Sequence, residues 1–154
     1  MIKIRQATPD DAGRLAILFD AYRVFYNQEP DAPKATEFLL NRIMQRDSEI
    51  FIAESNRMLA AFVQLYPLFS SVRMKKLWLL NDLFVLPEFR GQHLSVQLIA
   101  RAKQLVRETN SAGLMLETAK NNLIGNNLYQ CTGFVKDNDH CYYTWDSGTD
   151  AEES

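Results

Sequence analysis

The sequence predicts an α/β domain built on one mixed sheet, and three observations carry that prediction. Short apolar runs of strand length alternate with four longer segments in which apolar residues recur at helical spacing. A strand–helix–strand order between residues 77 and 118 implies a parallel pair joined by a right-handed crossover. Two apolar runs separated by a short turn, at 49–54 and 58–66, imply an antiparallel hairpin.

The composition is that of an ordinary soluble globular protein. Of its 154 residues, 47% are hydrophobic and 23% are charged, which suits one compact core. The formal net charge of -2 offers no general attraction to nucleic acid or to an anionic membrane, and no apolar run approaches the roughly 20 residues that span a bilayer. With two cysteines and no apolar signal at the N-terminus, we expect a reduced, cytoplasmic location.

Two helices are expected between the first strand and the main sheet. Residues 2–5 alternate as a half-buried strand, and Thr8 with Pro9 predicts the start of a helix. Apolar residues then recur at helical spacing up to Tyr26. A second apolar stripe follows Pro33 and ends near residues 45–47, which are polar.

The central strands follow these helices. After the hairpin, residues 67–76 are polar, rich in serine and basic, which predicts a loop. Residues 77–86 are almost entirely apolar, which predicts a central strand, but Asn81 and Asp82 interrupt it.

The C-terminal part alternates helices and strands again. An amphipathic helix is predicted to follow Pro87, and a short strand is predicted at 114–118. A last helix at 121–131 is closed by Gly133, and residues 141–145 alternate as a final strand. We expect a single domain over 1–146 and a disordered acidic tail over 147–154.

The turn and helix start at residues 90–95 have the features of an anion site. A strand, a turn and then a helix place several free backbone N–H groups in one concave turn, where the helix dipole also favours negative charge. Gly91 permits a close approach of backbone and ligand, and Arg90 adds a cation. Taken alone, such a turn with one glycine is more often a plain connector.

Two motifs give this turn a more specific meaning. Arg90-Gly91-Gln92-His93-Leu94-Ser95, preceded by Asp82-Leu83-Phe84-Val85 and Pro87, is similar to the pattern Arg/Gln-x-x-Gly-x-Gly/Ala. A second pattern, Asn-x-x-Ala-x-x-Leu-Tyr-x-x-x-Gly-Phe, is matched by Asn122, Leu128, Tyr129, Gly133 and Phe134, with Gly125 at the alanine position. Together they resemble the Gcn5-related N-acetyltransferase (GNAT) superfamily, and the likeness runs from Ile2 to Trp145.

The resemblance implies a fold, a cofactor and an activity. The fold is a mixed, mostly antiparallel sheet of six to seven strands flanked by about four helices. The activity is transfer of the acetyl group of acetyl-CoA to a primary amine, with the Tyr129 hydroxyl as general acid; without the motif, Tyr129 would be read as a buried aromatic residue. The implied cofactor-binding residues are Leu83, Phe84, Val85, Arg90, Gly91, Gln92, His93, Leu94, Ser95, Asn122 and Tyr129.

The sequence departs from the family pattern at two positions of the turn. His93 stands where the family usually has glycine, and Ser95 stands where it has glycine or alanine. A positive φ at His93 would cost on the order of 1 kcal/mol, but at a helix start we expect φ to be negative. We therefore expect cofactor binding that is weakened but not abolished.

The acceptor side is expected around the polar break in the central strand. Asp82 is the candidate to bind the substrate amine or to act as general base through a water, and a structural hydrogen-bonding role at a strand irregularity is about as probable. Asn81 and Glu117, the latter on the neighbouring parallel strand, are further candidates. An aromatic group could wall the site, although such residues are more often core: Tyr22, Phe25, Tyr26, Tyr66 and Phe69. The histidines lack spaced ligand partners, so we expect no metal.

The acceptor itself is left open between several classes. Residues 80–85 are similar to the diamine and small histone-acetyltransferase-like branch, but Asn81 replaces one acid there, so we expect a small-molecule primary amine first and a peptide or protein lysine second. A non-catalytic acetyl-CoA-binding regulatory module is the alternative that His93 suggests. Nucleic acid is disfavoured, since Arg73, Lys75 and Lys76 are a small basic patch. A homodimer is what the resemblance implies.

Overall fold

The computed structural model describes residues 1–148, so most of the predicted acidic tail, 149–154, lies outside the described residues. The chain divides into two compact units, Met1–Ala119 and Lys120–Ser154. The single domain expected over 1–146 stays a prediction.

The first unit contains a sheet of five strands in the order β1-β2-β3-β4-β5. The strands are β1 (Ile2–Gln6), β2 (Glu49–Ser55), β3 (Met58–Ser70), β4 (Lys75–Val85) and β5 (Leu114–Met115). The first three pairings are antiparallel, and β4 pairs with β5 in parallel. The predicted mixed, mostly antiparallel sheet is therefore confirmed, with five strands in place of six to seven.

Three α-helices belong to this unit: α1 (Ala12–Phe25), α2 (Ala32–Gln45) and α3 (Leu94–Glu108). Short 3-10 turns precede α1 and α3, at Pro9–Asp11 and Pro87–Phe89. Thr8 and Asp11 form a capping box at the first turn, in which the Thr8 N–H donates to Asp11 Oδ2 at 2.8 Å. Asp31 caps α2 by accepting from the Lys34 N–H.

The apolar core of the first unit fixes which face of the sheet carries the polar residues of interest. Leu15 and Phe19 of α1 and Leu39 of α2 pack in one cluster with side chains of the central strands, namely Ile50, Ile52, Phe62 and Phe84. Side chains of a strand alternate between faces, so Asp82, two positions before Phe84, lies on this same face. The α1 and α2 side of the sheet is therefore the side of the candidate acceptor residues.

The central hairpin is longer than the sequence predicted. The expected loop at 67–76 is confined to the turn at 71–74, because β3 and β4 remain paired as far as Ser70 and Lys75. Polar residues are well tolerated at the solvent-exposed end of an antiparallel hairpin, so their presence does not mark where pairing stops. The predicted helix after Pro87 also begins later, at Leu94, since residues 87–89 form only a 3-10 turn.

In the second unit, α4 (Leu123–Cys131) is confirmed but the predicted strand at 141–145 is wrong. Those residues have no regular structure, and Tyr142, Tyr143 and Trp145 are exposed at 74%, 87% and 64%. Alternation shows which side chains would share a face, but a strand also needs a paired partner.

Candidate functional site

The turn between β4 and α3 presents a row of unused hydrogen-bond donors. The Arg90 N–H donates to the Pro87 carbonyl, and the next N–H that donates to a backbone carbonyl is that of Gln97, which pairs with His93. Within residues 1–148, no acceptor is found for the backbone N–H groups of 91–96, and no side chain caps α3. Such a helix start, with the positive end of its dipole, suits an anion such as phosphate.

His93 adopts a conformation that the sequence interpretation did not expect. Its φ is 60° and its ψ is 26°, in the left-handed region, and Gly91 also has a positive φ of 83°. The expectation of a negative φ at His93 was wrong, because this residue precedes the first helical residue and turns the chain into α3. A left-handed residue is where glycine costs least, which gives a physical reason for glycine in the pattern that this turn resembles.

Arg90 is held at the end of β4. Its Nε donates to the Val85 carbonyl at 3.1 Å, and its guanidinium carbon lies 5.7 Å from the ring centroid of Phe84 and 6.0 Å from that of Phe25. A guanidinium at these distances from aromatic rings is attracted to their faces. No hydrogen bond within residues 1–148 involves the two terminal nitrogens of Arg90, so both can still meet an anion.

One edge of β4 is open along three of the residues that the family resemblance implies as cofactor-binding. The parallel strand β5 pairs only with Trp78 and Leu79. Beyond Leu79, no strand of the described residues lies on that side of β4, which includes Leu83, Phe84 and Val85. An open edge of this kind can pair with an extended chain through its backbone.

A bulge in the β3–β4 pair lies at the polar break. Gln64 is opposite Asp82, and Leu65 is opposite Leu80, so Asn81 is the extra residue. The sequence predicted a strand irregularity as one explanation of Asn81 and Asp82, and the structure contains it.

The Asp82 carboxylate is buried and held by two amide groups. Its exposure is 6%, and Gln64 Nε2 donates to Oδ2 at 2.9 Å while Asn81 Nδ2 donates to Oδ1 at 3.1 Å. Gln64 is itself fully buried, and its Oε1 accepts from Ser48 Oγ at 3.1 Å. Among residues 1–148, no cation lies within ion-pair distance of Asp82.

Tyr66 lies close enough to this carboxylate to be influenced by its charge. Burial, together with the negative charge of Asp82, raises the pKa of Tyr66 to about 12. The phenol therefore stays protonated and neutral throughout the physiological range. Sequence reasoning had placed Tyr66 only among aromatic residues and had missed Gln64 and Ser48, although a glutamine within the apolar run 59–65 was a usable signal.

Tyr26 stands at the exposed border of an aromatic cluster. It follows α1, is 52% exposed, and makes edge contacts with Tyr22 at 5.0 Å and Phe25 at 5.3 Å between ring centroids. Tyr22 in turn contacts Phe62 and Phe84. Phe69, predicted in the same group, is 77% exposed near the end of β3, and none of the ring contacts among the described residues includes it.

Glu117 was predicted on the parallel strand, and that placement was wrong. β5 ends at Met115, so Glu117 lies in an irregular segment, where its side chain is exposed. The strand is short because β4 and β5 pair over two residues only.

In the second unit, Asn122 is the N-cap of α4. Its Oδ1 accepts from the Gly125 N–H at 3.1 Å. A Cβ at Gly125 would overlap Asn122 Nδ2 and would lie 2.9 Å from its Cγ. Glycine at this position therefore lets the Asn122 amide lie tightly over the first turn of the helix.

The motif that contains Tyr129 also ends α4. The Phe134 N–H donates to the Tyr129 carbonyl at 3.0 Å, the Gly133 N–H donates to the Gln130 carbonyl at 3.3 Å, and Gly133 has a φ of 95°. This is a Schellman motif, and its usual apolar contact is made by the Tyr129 and Phe134 rings, 5.7 Å apart and inclined at 76°. The spacing from Tyr129 to Phe134 thus has a structural reason that is independent of chemistry.

Residues 1–148 offer neither a metal-ligand cluster nor a membrane-spanning helix. They contain no group of three or more His, Cys, Asp or Glu side chains arranged to hold a metal ion. No helix in this part of the chain is long and apolar enough to cross a membrane.

Comparison with known proteins gives a consistent family. Residues 15–134 match the model of the acetyltransferase (GNAT) family. An uncharacterized N-acetyltransferase of Bacillus subtilis (strain 168), YhfO, is 39% identical over 142 residues, which cover 92% of this chain and 95% of that protein. A probable acetyltransferase of Haemophilus influenzae is 37% identical over 105 residues, covering 68% of this chain and 72% of that protein.

Solved structures agree with these sequence relatives. The crystal structure of a probable acetyltransferase has a TM-score of 0.88 and 35% identity, and covers 94% of this chain and 97% of that one. A predicted acetyltransferase from Clostridium acetobutylicum, solved with acetyl-CoA, has a TM-score of 0.77 over 94% of this chain and 96% of that one. Its identity is 17%, so that likeness shows the fold alone.

Proposed function

The chain belongs to the acetyltransferase (GNAT) family, and on that basis we propose that it moves the acetyl group of acetyl-CoA to a primary amine of a small molecule by direct attack. Bound acetyl-CoA supplies the activated acetyl thioester. The residues of the protein must bind the cofactor, bind and deprotonate the amine, and provide a proton for the leaving sulfur.

Two features of the first unit fit the chemistry of acetyl-CoA. The backbone N–H groups of 91–96 lack acceptors within the described residues, and the Arg90 guanidinium keeps its terminal nitrogens for an anion, which suits a pyrophosphate. The open edge of β4 at Leu83, Phe84 and Val85 offers backbone groups to the amides of a pantetheine chain. Gln92, Leu94 and Ser95 complete the turn, with Ser95 adding a small hydroxyl.

The observation that carries the acceptor assignment is the buried, uncompensated carboxylate of Asp82. Two neutral amides hold it, and no cation of the described residues neutralises it. A buried carboxylate is costly unless it is paired, so a cationic ligand would gain by meeting it. We assign Asp82 to binding of the substrate ammonium group, or to taking its proton through a water.

Tyr129 is proposed as the general acid on the strength of the family motif. Its hydroxyl would release a proton to the leaving sulfur, and the Asn122 amide would bind the cofactor in addition to capping α4. The homodimer that the family resemblance implies and the cytoplasmic location expected from the cysteine content and the N-terminus stay predictions.

The decisive experiment measures free-thiol release from acetyl-CoA with a panel of small primary amines and, in parallel, lysine-containing peptides. Turnover with small amines supports the proposal, turnover with peptides alone moves the assignment to lysine side chains, and binding of acetyl-CoA without turnover supports a regulatory module. With the best amine, Asp82→Asn should raise the acceptor KM and alter the pH–rate profile. Glu54→Gln is the control, because it too removes a carboxylate charge of the sheet, but one that pairs with Arg5 and Arg14 and has no proposed role in the site.

Tyr129→Phe tests the acid. We expect a lower kcat with unchanged coenzyme A binding, since only the hydroxyl is removed and the ring contact with Phe134 is kept. Tyr143→Phe, an exposed tyrosine of the same unit, is its control. Equal kcat values for Tyr129→Phe and the parent enzyme would exclude Tyr129 as the acid.

A further inference from the structure

We propose that Gln64 is a positioning residue of this enzyme, which orients the Asp82 carboxylate toward the acceptor amine and is itself fixed by Ser48. The inference rests on the role proposed for Asp82 and adds to it a part of the site that neither motif contains.

Stabilisation of the fold alone does not explain why a glutamine occupies position 64. Its side chain is fully buried in the middle of β3, where both neighbours, Val63 and Leu65, are buried and apolar. A buried amide has a desolvation cost that an apolar side chain of similar volume avoids. Within residues 1–148 its side chain bonds only to Ser48 and Asp82, so its contact with Asp82 gives a reason for its presence.

The amide can point in only one direction. Ionised Asp82 only accepts hydrogen bonds, so the Gln64 NH2 group, and not its oxygen, must face Oδ2 at 2.9 Å. Gln64 Oε1 then points to Ser48 Oγ, whose hydroxyl donates at 3.1 Å. The carboxylate sets this orientation, since a hydroxyl can donate or accept, and Ser48 stabilises it by donating to the amide oxygen.

The bulge brings these groups together. Since Asn81 is the extra residue, Gln64 lies directly opposite Asp82, and the Asn81 amide binds the other carboxylate oxygen. Each carboxylate oxygen thus has one amide donor and retains a lone pair for an incoming ammonium group or water. The plane of the carboxylate is fixed before any substrate arrives, which is how positioning raises a rate.

The other titratable groups near Asp82 are Tyr66, Arg42 and Asp47. Tyr66 has a pKa of about 12 and so remains a neutral phenol during an assay near neutral pH. Arg42 of α2 and Asp47, whose charges reach Tyr66, pair with each other at 3.2 Å. A change in acceptor kinetics that depends on Gln64 can therefore be assigned to its contact with Asp82 and not to these neighbouring groups.

The test uses two substitutions of the same residue and one of its partner. Gln64→Leu keeps the approximate volume and removes the donor, so we expect kcat/KM for the acceptor to fall by about tenfold or more, as for loss of a hydrogen bond to a charged group. Gln64→Glu places a second carboxylate against Asp82, and like charges raise proton affinity, so the acidic limb of the kcat/KM profile should move up by about one pH unit or more. Ser48→Ala, which loosens Gln64, should give a smaller loss.

The Kd for coenzyme A distinguishes a positioning role of Gln64 from general damage to the fold. The Kd for coenzyme A should be unchanged in all three variants, and Thr109→Val, which removes the acceptor of the partly buried Trp78 indole N–H, controls for loss of a hydrogen bond elsewhere in the same unit. If Gln64→Leu does not fold, the acceptor kinetics of Ser48→Ala test the proposal instead, because that substitution leaves β3 unchanged.

Parent-like acceptor kinetics in Gln64→Leu and Gln64→Glu, alongside an impaired Asp82→Asn, would overturn the proposal and leave the function intact. An equal loss of coenzyme A binding and acceptor kinetics would also overturn it, since the role would then be structural. A parent-like Asp82→Asn instead refutes the assigned role of Asp82.

Discussion

His93 is the residue of the turn at 90–95 where glycine should be at least as stabilising as alanine, the reverse of their usual order in a helix. With a φ of 60° it is left-handed, a conformation that costs an L-amino acid about 1 kcal/mol. Glycine avoids most of that cost but loses roughly 0.5 to 1 kcal/mol through the greater freedom of the unfolded chain. We therefore expect His93→Gly to change the free energy of unfolding by less than about 1 kcal/mol, whereas His93→Ala keeps the strain.

The comparison between alanine and glycine at one position isolates the backbone term. At position 93 the glycine variant should be at least as stable as the alanine variant. At Ser95, which lies within the first turn of α3, alanine should be the more stable by roughly 0.5 to 1 kcal/mol. Urea unfolding of the four variants gives both differences with one method.

Coenzyme A titration of the same variants shows whether the imidazole obstructs the turn. If its bulk weakens binding, His93→Ala and His93→Gly should bind coenzyme A more tightly than the parent, and by similar factors, because both remove the ring. An alanine variant more stable than the glycine variant at position 93 would refute the left-handed assignment. Weaker coenzyme A binding in both would instead make the imidazole a contributor to the site.

Two further predictions concern stability. Hydrogen bonds from Arg5 hold the pKa of the buried Asp11 well below its usual range. This ion pair therefore stabilises the fold above about pH 4, and the stabilisation is lost as the pH falls through the lowered pKa. Asp11→Asn should lower the free energy of unfolding in urea by about 2 kcal/mol at pH 7, and the difference between variant and parent should narrow toward pH 2. Gly133→Ala should destabilise α4 by about 1 kcal/mol or more, because position 133 has a positive φ, and Gly133→Asn should destabilise it less. Equal melting temperatures of the two variants would contradict the Schellman assignment.

Sequence periodicity predicted the elements whose signal is local. The β2–β3 hairpin, the amphipathic α3 and the parallel pairing of β4 with β5 all follow from patterns within a few dozen residues, and they are confirmed. The family motifs located the turn at 90–95 and the helix stop at Gly133, because each depends on residues close together in the chain.

The features that escaped prediction depend on pairing between distant segments. The polar break at Asn81 and Asp82 predicted an irregular strand, but the Gln64–Asp82 contact follows only from the register of β3 against β4 and was missed. The alternation at 141–145 predicted a strand that lacks regular structure, because alternation does not provide a partner. The left-handed φ of His93 was missed because the residue type gives no hint of it.

The early end of the β4–β5 pairing has a consequence for handling this protein. Beyond Leu79, β4 keeps an edge that no described strand covers, and exposed strand edges recruit other chains into intermolecular sheets. Sheets usually blunt such an edge with charge or proline, but Leu83-Phe84-Val85 offers neither. A molecule bound along β4 would therefore protect against self-association as well as take part in turnover, so preparations without coenzyme A should aggregate sooner on storage than preparations with it.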